Sequence, residues 1–250
     1  MKKLYFLLFL LCGCQSVLPV PPEFEYKEIR AGQFTLASWQ KISDKNQPVK
    51  VYIEGDGRAF TASGRVSIDP TPRGNTMRKT AFGDNNPNVV YLARPCQFIK
   101  TPNCTSKYWS NARFSPEIVD VMAEAVNQIA GNQQVVLIGY SGGAQIAGLI
   151  SVLYPEIKVK KAITIAGNLD HVAWMEYHHL PKLDKSLNLG DYKTEFSNIP
   201  QVHYVGQKDD VLPPKLAYEF VQNPDLVKEI KGATHGSGWE QIYPLVWAER

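Results

Sequence analysis

Val135-Val136-Leu137-Ile138-Gly139-Tyr140-Ser141-Gly142-Gly143 leads directly into the helix-like run Ala144 to Leu153. The continuous apolar residues at its start predict a buried strand, and the glycines around Tyr140-Ser141 predict a tight turn. A strand, a turn with serine at its tip and a helix are the setting in which Gly-x-Ser-x-Gly holds a serine hydroxyl out of a strained elbow. The small residues have a steric role. Glycine lets the strand and helix pass close together and accepts backbone angles that a side chain forbids. The bland alternative is a small residue in an ordinary turn, and the downstream sequence decides between the two.

Val202-His203-Tyr204-Val205 is a short β-type run followed by Gly206-Gln207-Lys208-Asp209-Asp210-Val211-Leu212-Pro213. A second run, Leu226 to Ile230, is followed by Gly232-Ala233-Thr234-His235-Gly236-Ser237-Gly238-Trp239. Serine, acid and histidine thus come in that chain order, each in a loop after a strand. In this order the chain resembles the α/β-hydrolases. Gly-x-x-Asp-x-x-x-Pro at 206–213 looks like that family's acid loop, and Gly-x-x-His-x-x-x-Trp at 232–239 like its histidine loop. The resemblance runs from about Tyr26 to the C-terminus. It implies an α/β fold: a mostly parallel central sheet, helices on both faces and a possible small lid. Its motifs carry no information about the substrate.

A serine hydroxyl is a weak nucleophile, so acyl transfer needs a base beside it and a group that orients the base. The resemblance implies Ser141 as nucleophile, His235 as base and Asp209 as the orienting acid. Asp210 and Asp170 remain alternative acids, the first as a neighbour and the second because it follows the strand ending at Ala166. Two N–H donors must meet the developing oxyanion. Gly142 is expected to supply one, and Asp56 the other from the loop Glu54-Gly55-Asp56-Gly57. The family more often has His-Gly there, and a carboxylate at that position calls for a cation. Arg58 is the nearest candidate in sequence. The alternative roles for Glu54 and Asp56 are to meet a cationic substrate group or simply to hold the loop.

Strands are predicted at Ile29 to Gln40, Val49 to Glu54, Asn88 to Ala93 and Val159 to Ala166. Ser115-Pro116-Glu117 starts a helix well, with an N-cap, a proline in the first turn and an acid, and Ile118, Met122, Val126 and Ile129 give it one apolar face. Strands alternating with helices predict a mainly parallel sheet. Two stretches interrupt the alternation. One is 55–86, rich in Gly and Pro, where only Met77 to Phe82 reads as helical. The other is 168–198, a lid candidate whose Trp174, Met175, Tyr177, Leu180, Leu183 and Leu187 are candidates to line an apolar pocket. His178-His179 carries no metal site, because adjacent residues on a helix do not share a face. No cofactor is implied.

Met1-Lys2-Lys3 and the apolar run Leu4 to Leu11 predict a signal peptide, the run being too short to span a bilayer. Leu11-Cys12-Gly13-Cys14 resembles the bacterial lipobox, with Cys14 as the lipidated residue. The expected organisation is therefore a leader at 1–13, a lipidated Pro-rich tether at 14–25 and a hydrolase domain at 26–250. Several acyl chains on one residue would anchor it stably, since a single chain binds marginally. The expected location is the bacterial envelope, and Gln15 after the cysteine favours the outer membrane. An ordinary cleaved secretory signal is the competing reading.

Cysteine use agrees with export. Cys96 and Cys104 remain as one pair, expected to form a disulfide in an oxidising compartment. Without 1–13 the chain keeps 25 basic against 24 acidic side chains. That balance gives no reason to expect nucleic acid or a polybasic membrane patch. The function expected is hydrolysis of small-molecule or lipid esters by a serine hydrolase. The alternative is a non-catalytic envelope binding protein that keeps the fold.

Overall fold

The computed structural model describes residues 18–249, so the leader 1–13 and Cys14 lie outside the described residues. The strands are β1 (Glu25–Ala31), β2 (Phe34–Ile42), β3 (Val49–Ile53), β4 (Asn88–Leu92), β5 (Val135–Tyr140), β6 (Val159–Ile165), β7 (Gln201–Gly206) and β8 (Val227–Ile230). They form one sheet in the order β1-β2-β4-β3-β5-β6-β7-β8. Only the β1–β2 and β2–β4 pairs are antiparallel. From β4 onward every pair is parallel. The single strand expected over Ile29 to Gln40 is a hairpin instead. The chain turns at Gly32-Gln33, and Ala31 pairs with Phe34. The glycine sat inside an otherwise strand-like run and was its turn signal.

Neighbouring residues of the central strands serve opposite cores. Val49, Val51, Ile53, Val135 and Leu137 belong to one apolar cluster. Tyr52, Val136 and Ile138 belong to the other. This two-sided burial is why these strands read as continuous apolar runs, and it requires helices on both faces. The first face is covered by α2 (Pro116–Ala130) and α3 (Gly142–Leu153), through Ile118, Met122, Val126, Ile146 and Leu149. The second is covered by α1 (Thr76–Phe82) and, near the C-terminus, α7 (Tyr243–Ala248), through Met77, Ala81 and Val246. Ser115 caps α2 as expected, its hydroxyl accepting the Ile118 N–H. Truncating a core residue such as the fully buried Leu137 to alanine would cost about 2–5 kcal/mol.

Not all of the core is apolar. Lys50 on β3 is buried and donates to Asp84 Oδ2 at 3.1 Å and to the carbonyl of Trp247 at 2.9 Å. The Tyr52 hydroxyl reaches the same Asp84 oxygen at 2.6 Å. This network fastens the C-terminal helix to the sheet. The remaining helices, α4 (His171–Tyr177), α5 (Lys193–Ser197) and α6 (Pro214–Phe220), lie on the connections around β7. Among the described residues no helix is long and apolar enough to cross a membrane.

Candidate active site

The parallel register decides where the site lies. Ile53 at the end of β3 is opposite Gly139 on β5. Residues just past β3 therefore stand beside the turn that follows β5. The carboxyl ends of β7 and β8 lie along the same edge, where open parallel sheets characteristically hold their ligands.

Ser141 occupies the turn with φ 52° and ψ −121°, a left-handed backbone that non-glycine residues rarely adopt. Its N–H donates to the Ile165 carbonyl at 3.0 Å, and its own carbonyl accepts from Asn168 N–H at 3.0 Å. These bonds hold the strained residue in place. A β-carbon on Gly139 would lie 2.5 Å from the Ala144 α-carbon, so the close strand–helix crossing needs glycine there.

His235 Nε2 stands 3.1 Å from Ser141 Oγ, and its Nδ1 stands 2.9 Å from Asp209 Oδ2. A carboxylate only accepts, so Nδ1 carries the proton and Nε2 is free to accept from the serine hydroxyl. The histidine ring stacks on Tyr140, with centroids 5.6 Å apart. The His235 carbonyl accepts from both the Tyr140 hydroxyl at 2.8 Å and Trp239 Nε1 at 3.0 Å. Those donors pin the histidine loop over the elbow.

Asp209 is buried, and its second oxygen accepts the N–H groups of Val211 at 3.0 Å and Leu212 at 2.8 Å. Both alternative acids are placed elsewhere. Asp170 caps α4, accepting from Val172 and Ala173 N–H. Asp210 is exposed and does not cap α6, whose N-cap position is Pro213. The connection 168–198 supports the acid loop: Trp174 Nε1 donates to the Val211 carbonyl at 2.6 Å, and His178 Nε2 lies 2.8 Å from the same oxygen.

Gly142 is the first residue of α3, so its N–H has no acceptor within the helix. The Asp56 N–H likewise has no acceptor among the described residues. The Asp56 carboxylate corrects one expectation. Its partners are Arg94 at 3.2 Å and Arg113 at 2.8 Å, not Arg58. Burial alone would raise the Asp56 carboxyl, but the Arg113 and Arg94 guanidiniums outweigh it and hold the group below the usual carboxylate range. Both guanidiniums also lie over the Phe114 ring, Arg94 at 5.3 Å and Arg113 at 5.9 Å from its centroid. Sequence reasoning missed this pairing because it took the nearest cation along the chain.

Glu54 holds the loop. It accepts from Gly55 N–H at 2.9 Å and from the Tyr91 hydroxyl at 2.8 Å. Gln97 Nε2 donates to the Gly55 carbonyl at 2.9 Å from the other side. Gln97 follows Cys96, which forms the expected disulfide with Cys104, their α-carbons 5.6 Å apart. Closing so short a loop contributes on the order of 2.5 kcal/mol in the chain-entropy model. The disulfide loop thus supports the segment that carries Asp56.

No family model and no curated protein matches the chain by sequence. Solved structures match it by shape. A candidate lipase (lip1) from Acinetobacter baumannii AYE superposes with TM-score 0.63 at 14% identity, over 91% of this chain and 89% of its own. Est1E from Butyrivibrio proteoclasticus gives 0.58 at 13%, over 89% and 94%. XC6422 from Xanthomonas campestris, described as an α/β serine hydrolase without a lid, gives 0.53 at 12%, over 92% and 93%. With its mainly parallel sheet flanked by helices, the chain has the α/β-hydrolase fold. At such identities the likeness defines the fold and leaves the chemistry to the residues.

Proposed function

We propose that this protein is a serine hydrolase that cleaves carboxylic esters through an acyl-enzyme, held at a bacterial membrane by lipid on Cys14. The observation that carries the reading is the unbroken hydrogen-bonded line from Ser141 Oγ through the His235 ring to the buried Asp209 carboxylate. The solved structures of similar shape include proteins described as a lipase, a serine hydrolase and a thioesterase domain, which agrees with it.

In the proposed reaction Ser141 Oγ bonds to the ester carbonyl carbon while its proton passes to His235 Nε2. The carbonyl π pair moves onto oxygen, where the Gly142 and Asp56 N–H groups and the N-terminus of α3 meet the negative charge. Asp209 holds the ring tautomer and stabilises the imidazolium. Collapse of the intermediate breaks the bond to the alcohol oxygen, which takes the proton from Nε2. Water then repeats the sequence on the acyl-enzyme, with His235 as base, and releases the carboxylic acid. Thioesters and lactones fit the same route.

A carboxylate beside the oxyanion position was the feature that favoured a non-catalytic binding protein. Its pairing with Arg94 and Arg113 removes that objection. The test is turnover of a chain-length series of model acyl esters by the purified chain and by Ser141→Ala. Turnover by the wild type and none by the variant supports the proposal. Equal rates would end it.

A further inference from the structure

Two cavities of different chemistry share Phe60 in their walls, and the first holds the proposed nucleophile and base. The first, about 360 Å³, is lined by Ser141 and His235 and by Arg58, Phe60, Arg73 and Thr76, among others. Two acidic residues also line it, and both are already engaged. Glu54 is buried and accepts from Tyr91 and Gly55, and burial raises its pKa towards the neutral form. Asp56 is matched by two guanidiniums. Arg58 and Arg73 differ from them. Neither makes an ion pair or a side-chain hydrogen bond with a described residue, although Arg58 attracts Asp69 at longer range.

The second cavity, about 610 Å³, is lined by Val66, Trp174, Met175, Leu180 and Leu183. Tyr177 and Leu187, also expected there from the sequence, do not line it. Phe60 lines both cavities, so they adjoin at its ring. Phe60, Val66 and Leu180 leave 41%, 41% and 44% of their surface exposed, an open apolar face that borders the nucleophile's cavity at Phe60. Its volume is in the range of small-molecule sites.

The position of His235 orients a substrate across the two. The histidine must return its proton to the departing alcohol, so the alcohol half belongs on its side. His235 lines the first cavity and not the second, and Arg58 and Arg73 line that first cavity with it. Building on the ester-hydrolase reading above, we infer that the substrate is an amphiphilic ester. Its apolar acyl chain passes Phe60 into the larger cavity, and its alcohol half carries an oxyanion, phosphate or carboxylate, held by Arg58 and Arg73. Guanidinium groups suit both anions because their paired N–H donors match two oxygens.

The test uses the purified full chain and three esters of one acyl group, below their micellar concentrations: decanoyl glycerol, decanoyl glycerol phosphate and decanoyl glycerate. The quantity read is the ratio of kcat/KM for each anionic ester to that for the neutral one. A ratio within one preparation cancels any general loss of folded protein. The wild type should prefer at least one anionic ester by about tenfold, the scale of two solvent-accessible ion pairs. The Arg58→Gln/Arg73→Gln double variant should bring the ratio near one, and added salt should shrink it in the wild type. The two anionic arms separate phosphate from carboxylate recognition. A preference that survives in the double variant overturns the inference. So does a wild type that labels at Ser141 with a fluorophosphonate yet favours neither anionic ester, whether by equal rates or by no turnover; the hydrolase reading then stands. Absence of labelling would remove both readings together.

Discussion

Asp56 sits against Gly142 so closely that a β-carbon on Gly142 would lie 2.1 Å from Asp56 Oδ1. The loop after β3 and the elbow after β5 are therefore seated directly on each other, with Arg94 and Arg113 gripping the Asp56 carboxylate from behind. In the proposed mechanism this seating aims two backbone N–H groups at one oxyanion.

Gly142→Ala should break that seating. The extra methyl must push Asp56 away, so kcat should fall by about 10²–10³, the scale of losing one oxyanion donor. KM should change much less, because the ground-state ester makes little use of the site. Steady-state kinetics on a model ester would decide it. An unchanged kcat would mean that Asp56 supplies no donor.

Asp209→Asn should lower kcat by about 10⁴, because an amide at that position favours the wrong histidine tautomer. Asp210→Asn should be nearly silent. Asp170→Asn should mainly weaken the cap of α4, by roughly 1 kcal/mol or less. Parallel measurements of kcat and melting temperature separate the three. A deeper catalytic loss at Asp170 would contradict the assignment of the acid.

Buried His203 should make the fold sensitive to mild acid. Its Nδ1 lies 2.8 Å from Thr164 Oγ1 and its Nε2 2.8 Å from Gln201 Oε1, and burial pushes its pKa down to about 4. In the unfolded chain a histidine titrates near 6.5. Between those values the unfolded state binds a proton that the folded state refuses. Stability should therefore fall as pH drops from about 6.5 to 4, by on the order of 3 kcal/mol over the full window. Urea unfolding at pH 7 and pH 4.5 should show a smaller pH effect in His203→Gln than in the wild type. The same slope in both would acquit His203.

Cys14 should carry lipid in the mature protein. Mass spectrometry of the N-terminus should find a modified cysteine there. Cys14→Ala should release the protein from membranes or leave an uncleaved precursor, and ester turnover should persist. A mature N-terminus elsewhere, without acyl mass, would refute the anchor while leaving the enzyme proposal intact.

The elbow was legible because its requirements are local. A buried strand, small residues at a steric crossing and a helix all leave marks in adjacent positions. Asp209 and His235 came from loop patterns that resemble the family's, and the fold is what brings them to Ser141. The hairpin at Gly32-Gln33 was missed because the apolar pattern runs through the turn and outweighs one glycine. Arg94 and Arg113 were missed as partners of Asp56 because they come from other loops, and nothing in a linear pattern records that contact. Lys50 is a similar case. A lysine inside an apolar strand gives no hint that Asp84 and two C-terminal carbonyls receive it.

The central claim is that Ser141 is an activated nucleophile. Its most direct test is to treat the purified protein with a fluorophosphonate, digest it and map the adduct by mass spectrometry. The account predicts one phosphonylated residue, Ser141. It also predicts no adduct in Ser141→Ala, whose ester turnover should fall by about 10⁶. An adduct on a different serine, or a folded wild-type protein that never labels, would contradict it.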